Sequence, residues 1–104
     1  MAVLIGESWR DKLVEAFAGV SELQAKYPGD SALLSASQQL SYLIALADGV
    51  EKDDSALEEI TLGYVVTYQL ADIASADLAK LLSEINGRVR QYLRQNDRRL
   101  KIDQ

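Results

Sequence analysis

The chain of 104 residues contains no cysteine and no histidine. Without cysteine it can form neither disulfides nor thiolate metal sites. Without histidine it lacks the commonest general base and the commonest ligand of transition metals. These absences exclude the enzyme classes that depend on either residue. Only one proline and six glycines interrupt the sequence, so long regular elements are possible.

Long apolar runs are also missing. Residues 1–5 are apolar, but no basic residue precedes them and Gly6 ends the run, which is too short for a signal peptide. No later run approaches the roughly 20 residues of a membrane span. We therefore expect a cytoplasmic protein with no membrane contact. An apolar fraction of 48% and a charged fraction of 26% are globular values, so we predict one domain over residues 1–104.

The net charge of −5 is unevenly distributed along the chain. Residues 1–79 carry thirteen acids and four bases, whereas residues 80–104 carry seven bases and three acids. An acidic body favours basic partners and disfavours nucleic acid. The basic end either binds phosphates or an acidic partner, or simply offsets the dipole at a helix C-terminus. Its cations include Arg88, Arg90, Arg94, Arg98, Arg99 and Lys101.

Apolar residues that recur at three- and four-residue steps predict helices in the first half of the chain. The first helix is predicted to open at Ser8, a good N-cap, and to end at the turn of residues 27–30, which contains the only proline. Asp30 or Ser31 can cap the second helix, which runs to about Ala47.

A third helix is predicted to start at a capping box formed by Ser55 and Glu58. Gly63 lies inside this helix, where it costs about 1 kcal/mol relative to alanine and marks either a close helix approach or a kink. The β-branched and aromatic run 64–68 also suits a strand, but no second strand is available to pair with it. The predicted apolar positions are Leu57, Ile60, Tyr64 and Tyr68.

The fourth predicted helix has the most regular spacing of apolar residues. It opens at Ser75 or Asp77 and ends at Asn96 and Asp97. Because the turns between the helices are short, neighbouring helices should be antiparallel. The fold class that follows is all-α, a compact antiparallel bundle of about four helices. The apolar stripe of the fourth helix contains Leu78, Leu81, Leu82, Ile85, Val89, Tyr92 and Leu93.

Candidate catalytic groups are few. Carboxylates pair in sequence as Asp53 with Asp54 and Glu58 with Glu59, but neighbouring helix positions do not converge on one point. A solvated turn and an acidic first helical turn explain them better. The sequence has no phosphate-binding glycine loop, calcium loop or metal-spaced cluster. We predict that the protein is not an enzyme and uses no cofactor or metal.

The aromatic residues are few, seven in the whole chain. Four of them lie on apolar stripes and are predicted to pack in the core, whereas Tyr42 falls off the stripe of the second helix. Beside Gln38 it could anchor an interface, and equally it could pack under a neighbouring helix. The four predicted core aromatics are Trp9, Phe17, Tyr64 and Tyr92.

The acidic turn between the second and third helices is the candidate contact surface. Its charge would speed encounter with a basic partner and improve specificity. From the residues alone, a helical protein–protein adaptor stays an alternative, and a nucleic-acid binder that uses the basic last helix is a weaker one. The predicted partner-binding residues are Gln38, Tyr42, Glu51, Asp53, Asp54, Glu58 and Glu59.

Several short motifs follow one another in the order seen in a known family, over about residues 27–103. They are Tyr27-Pro28-Gly29, residues 33–36, Gln39-Leu40, Tyr42, residues 55–57, residues 61–63 and residues 100–103. By these motifs the chain resembles the small immunity proteins of the bacterial type VI secretion system that are paired with an NAD(P)⁺ glycohydrolase effector. The resemblance implies a cytosolic helical protein that binds the cognate effector toxin domain and keeps dinucleotide out of its active site.

Overall fold

A computed structural model of the chain describes residues 7–103 and the side chains of residues 8–95. The described part is helical and contains no strand, which confirms the all-α prediction. Its elements are α1 (Glu7–Lys26), α2 (Ser31–Ala47), a 3-10 helix (Ser55–Glu59), the short helix α3 (Leu62–Tyr64), a π-helical turn (Val65–Gln69) and α4 (Ala76–Asp103).

The starts of the helices follow local capping rules. The Asp30 carboxylate accepts the Leu33 N–H at 3.0 Å, and the Ser75 hydroxyl accepts the Leu78 N–H at 3.1 Å. Each side chain thus satisfies one of the free N–H groups at a helix N-terminus. The prediction for α1 was wrong in detail, because α1 already includes Glu7 and Ser8 lies within its first turn.

Contacts between α1 and its neighbours establish the direction of the helices. At the start of α1, Arg10 Nε lies 2.5 Å from Asp48 Oδ1, just past the end of α2. The α1 helix therefore runs antiparallel to α2. Farther along α1, Lys12 pairs with Glu84 at 3.6 Å, and Gly19 lies against Leu78. Lys12 thus contacts Glu84, and the later residue Gly19 contacts Leu78, which lies nearer the start of α4. These two helices are therefore antiparallel as well.

One continuous apolar core lies between these helices. Among the described residues no charged or polar side chain is fully buried. The hydrophobic effect of removing this apolar surface from water is the main force that stabilises the bundle. The buried residues include Trp9, Leu13, Ala16 and Val20 of α1, Leu33, Ala36, Leu40 and Leu43 of α2, and Leu78, Leu81, Leu82, Ile85 and Val89 of α4.

The third predicted helix is not continuous. Ser55 and Glu58 form no capping box, because the Ser55 N–H donates to the carboxylate of Asp53. Ile60 is extended at φ −69° and ψ 123°, which separates the 3-10 helix from α3. The side chain of Ile60 is buried, so this break places it in the core. The alternative of a strand at residues 64–68 is excluded, since these residues are helical.

The fourth helix is longer than predicted. It continues through Asn96 and Asp97 and ends at Asp103. Neither residue breaks a helix as glycine or proline does, and no glycine or proline follows them.

Candidate partner-binding surface

Two tyrosines from different helices hold the acidic turn in place. The Tyr42 hydroxyl of α2 donates to the backbone carbonyl of Asp53 at 2.7 Å. The Tyr92 hydroxyl of α4 donates to Asp54 Oδ2 at 3.1 Å. Hydrogen bonds to a charged acceptor are stronger than those between neutral groups. Hydrogen bonds therefore hold the turn against both α2 and α4.

Local hydrogen bonds give the turn its shape. The Glu51 carboxylate accepts the N–H groups of Lys52 and Asp53 at 3.1 and 3.0 Å. The Asp53 carboxylate accepts the Ser55 N–H at 2.9 Å. Hydrogen bonds from the backbone and side chain of Ser55 lower the pKa of Asp53, because they favour its charged form.

The negative charge of the turn also acts on Tyr42. Partial burial raises the pKa of the Tyr42 phenol above its ordinary value, and the charges of Asp53, Asp54 and Glu51 raise it further. The phenol therefore stays protonated and able to donate its hydrogen bond at neutral pH. Tyr42 packs against the core and holds the turn, while its role in binding a partner stays a prediction.

Hydrogen bonds connect only some of the predicted contact residues to one another. Tyr42, Asp53 and Asp54 belong to the hydrogen-bonded turn, with Glu51 half-buried beside them. Glu58 and Glu59 are exposed on the following 3-10 helix and form no salt bridge with a described residue. Gln38 is exposed on α2 and lies four residues before Tyr42, which places both on one side of the helix.

Two surface tyrosines were missed by the sequence analysis. Tyr64 was predicted to be in the core, but it is 55% exposed, and Tyr68 is 75% exposed. Their rings stack against each other with centroids 5.0 Å apart and planes tilted by 48°. The signal that could have found them is a second apolar stripe with helical spacing, formed by the buried residues Leu62, Val65, Val66 and Leu70.

A groove of about 560 Å³ lies beside Tyr64, between the start of α2 and the π-helical turn. The Gln39 side chain joins its two walls, because its amide accepts the Thr61 N–H at 2.8 Å and donates to the Thr61 hydroxyl at 3.1 Å. The lining includes no charged side chain and consists of Ser31, Ala32, Ser35, Thr61, Tyr64, Val65 and Gln69.

Part of the basic end contacts other regions of the chain. The Arg88 guanidinium lies 5.7 Å from the ring centroid of the buried Trp9, a cation–π contact. Arg90 Nη2 donates to the backbone carbonyl of Ile60 at 3.1 Å. These two cations support the packing of α4, which weakens the argument that α4 is a surface for phosphates.

Among the side chains that the structure describes, no three His, Cys, Asp or Glu residues come together to hold a metal ion. None of the described helices is both long and apolar enough to cross a bilayer. Two features of the described surface stand out, an acidic turn held by hydrogen bonds and an exposed aromatic pair beside an uncharged groove.

Comparison with protein families places most of the chain in a known family. The family model described as Tsi6 matches residues 9–91, more than three quarters of the chain. This stretch contains Tyr42, Tyr64, Tyr68 and the entire groove, whereas Tyr92 lies one residue beyond it. No curated protein and no solved structure matches the chain.

Proposed function

Since this chain belongs to the Tsi6 family of type VI secretion immunity proteins, we propose that it binds a cognate effector toxin and blocks its activity. The observation that carries the proposal is the family match over residues 9–91, which spans the core of the bundle and the turn. Proteins of this family are generally not enzymes. Inhibition by binding alone needs no catalytic group from the inhibitor.

The toxin that we propose is an NAD(P)⁺ glycohydrolase. The ordered motifs between Tyr27 and Asp103, which resemble immunity proteins paired with such effectors, support this target. The bound chain would cover the active-site cleft, so that dinucleotide could not enter. The complex would act in the cytoplasm, where the dinucleotide pools need protection.

The acidic turn with Gln38 and Tyr42 is our proposal for one part of the toxin-contacting surface. Its support is physical: the turn carries several carboxylates, and hydrogen bonds from α2 and α4 fix its backbone. A preformed loop loses less conformational entropy on binding than a mobile one. The acidic residues of the surface are Glu51, Asp53, Asp54, Glu58 and Glu59.

The test is an inhibition titration. The glycohydrolase domain of the candidate cognate effector is purified, and its hydrolysis of NAD⁺ is followed as the chain is added. We expect activity to fall linearly and to end at a 1:1 molar ratio if binding is tight. The chain alone should consume no NAD⁺.

Two controls define the result. Leu40→Asp places a charge at a fully buried position and should abolish inhibition by unfolding the chain. An NAD⁺ glycohydrolase unrelated to the effector should keep its activity in the presence of the wild-type chain. Full activity of the cognate domain at a tenfold excess of folded wild-type chain would reject the proposed function.

A further inference from the structure

We propose that Tyr64, Tyr68 and the adjoining groove form the apolar centre of the toxin interface, and that Glu58 and Glu59 form its acidic edge. This inference rests on the proposed function and names the surface that performs it. The matching surface of the toxin would place an apolar side chain in the groove and an arginine or lysine against the acidic edge.

The first argument is the contrast between two pairs of tyrosines. Tyr42 and Tyr92 are half-buried, and their hydroxyls are used to hold the acidic turn. Tyr64 and Tyr68 are exposed, and their hydroxyls donate to no described residue. Tyrosine is enriched at the energetic centres of interfaces, since it combines a large apolar ring with one polar group.

The second argument is that this surface is already formed in the free chain. The Gln39 amide locks Thr61 to α2, and Thr61 lines the groove. The π-helical turn that follows is closed by a bond of 2.9 Å from the Leu70 N–H to the Val65 carbonyl. π-Helical segments are rare and are frequently found at functional sites. This one has Val65 and Val66 in the core, and it leaves Tyr68 on the surface.

The third argument is the charge around the groove. The lining is uncharged, whereas Glu58 and Glu59 immediately precede Ile60 and Thr61 in the chain. The Cα atom of Glu59 lies at most about 8 Å from that of Thr61, because consecutive Cα atoms are about 3.8 Å apart. Neither glutamate is paired with a described cation. A basic side chain of the partner could therefore reach a carboxylate from the groove.

These features together select a basic partner surface. Arginine pairs with carboxylates and also stacks on tyrosine rings, so one arginine could contact both the aromatic pair and the acidic edge. An acidic or nucleic-acid partner would be repelled by the carboxylates. A second copy of this chain would bring two acidic edges together, which is unfavourable for the same reason.

The experiment measures the affinity of the same glycohydrolase domain for surface variants by isothermal titration calorimetry. Tyr64→Ser combined with Tyr68→Ser should raise Kd by about 30-fold or more, the effect of losing an interface hot spot. Tyr64→Phe combined with Tyr68→Phe keeps both rings and should stay within about fivefold of wild type.

Val14→Ser is the matched control, since Val14 is a 41% exposed apolar residue on α1, away from the groove. Its Kd should stay within about twofold of wild type, because most contacts outside a hot spot contribute little. Thermal unfolding followed by circular dichroism verifies that each variant is folded. The substituted tyrosines are exposed, so the fold should survive.

The outcomes separate the inference from the proposed function. If wild type binds the domain and the folded double serine variant binds equally well, the groove is not the interface, while the immunity function stands. If wild type does not bind the domain at all, both proposals fail. If wild type is a dimer that the double serine variant converts to a monomer, a second copy covers the tyrosines and the inference is overturned.

Discussion

At the scale of single residues, two aspartates are held in their charged form by specific donors. The Arg10 guanidinium lowers the pKa of Asp48 through its hydrogen bonds. Bonds from Ser55 lower the pKa of Asp53. A carboxylate whose pKa is lower in the folded than in the unfolded state takes up a proton on unfolding at pH values between the two pKa values. The fold therefore loses stability as the pH falls through that range. Both groups therefore stabilise the fold above their unfolded pKa of about 4, and this stabilisation disappears as the pH falls below that value.

Because the fold lowers the pKa of both aspartates, we predict that their contribution to stability depends on pH. Asp48→Asn combined with Asp53→Asn should lower the urea midpoint at pH 6.5 and have a smaller effect at pH 3, which lies below the unfolded pKa of about 4, so that part of the wild-type stabilisation is already lost. Equilibrium urea unfolding at the two pH values measures the difference. Glu15→Gln combined with Glu22→Gln removes two exposed carboxylates of α1 and is the control. An equal loss at both pH values in the aspartate variant would contradict the prediction.

Tyr42 illustrates what the sequence can and cannot reveal about one residue. Helical spacing places it off the apolar stripe of α2, which is correct, since it is only partly buried. Its bond to the Asp53 carbonyl depends on how the turn folds back eleven residues later. No local pattern in the sequence predicts a contact between residues so far apart in the chain.

At the scale of elements, two glycines in helices have opposite surroundings. A Cβ atom at Gly63 of α3 would lie 3.0 Å from Asn86 Nδ2 and 3.2 Å from Asn86 Cγ of α4. Of the two interpretations of Gly63, a close helix approach or a kink, this short distance favours the close approach. Asn86 Oδ1 is buried with no hydrogen-bond partner. A Cβ at Gly87 of α4 would meet no atom within 4 Å.

We therefore expect opposite effects from the same substitution. Gly63→Ala should destabilise the fold by about 1 kcal/mol, because crowding against Asn86 exceeds the gain in helix propensity. Gly87→Ala should stabilise it by about 0.5–1 kcal/mol through propensity alone. Chemical denaturation measures both, and Gly87→Ala is the control for Gly63→Ala. A stabilising Gly63→Ala would show that the Asn86 side chain moves aside at little cost.

Regular spacing made most of the elements predictable. The stripes of α1, α2 and α4 identify long helices, and Asp30 and Ser75 identify two of their starts. The segment after Ser55 was not predictable in the same way. The capping box that Ser55 and Glu58 offer does not form, because the Asp53 carboxylate accepts the Ser55 N–H instead. Past the break at Ile60, Gln39 bonds to Thr61 from 22 residues earlier in the chain, a contact that no local pattern reveals.

The candidate surface was only partly predictable for the same reason. Composition alone identifies the acidic turn. The exposure of Tyr64 depends instead on which face the helix after the break turns toward the core. That face carries Leu62 and Val65, so Tyr64 lies on the surface. A continuous helix from Ser55 would have a different phase and would place Tyr64 inside.

At the scale of the whole molecule, the acidic character should govern how fast the chain meets a basic partner. Electrostatic attraction raises the association rate and weakens as salt screens it. Glu58 and Glu59 are the suitable probes, since Asp53 and Asp54 also hold the turn together. Charge reversal of those aspartates would mix lost attraction with lost structure.

Glu58→Lys combined with Glu59→Lys should slow association with the effector domain by about tenfold at low salt. Surface plasmon resonance at increasing salt measures the rate, and the difference from wild type should become small near 0.5 M. Glu15→Lys combined with Glu22→Lys produces the same change in net charge on α1 and should slow association much less. Equal slowing by both variants would mean that overall charge, and no particular surface, attracts the partner.

The bond from Tyr42 ends on a main-chain carbonyl, an acceptor that every amino acid possesses. Mutation of the outward side chains of Lys52, Glu58 and Glu59 leaves that anchor intact. If the acidic turn contacts the toxin as we propose, substitutions at these exposed positions would change its recognition while each intermediate still folds. The shape of the turn and the identity of its side chains could then vary separately, because the Tyr42 hydroxyl bonds only to the backbone.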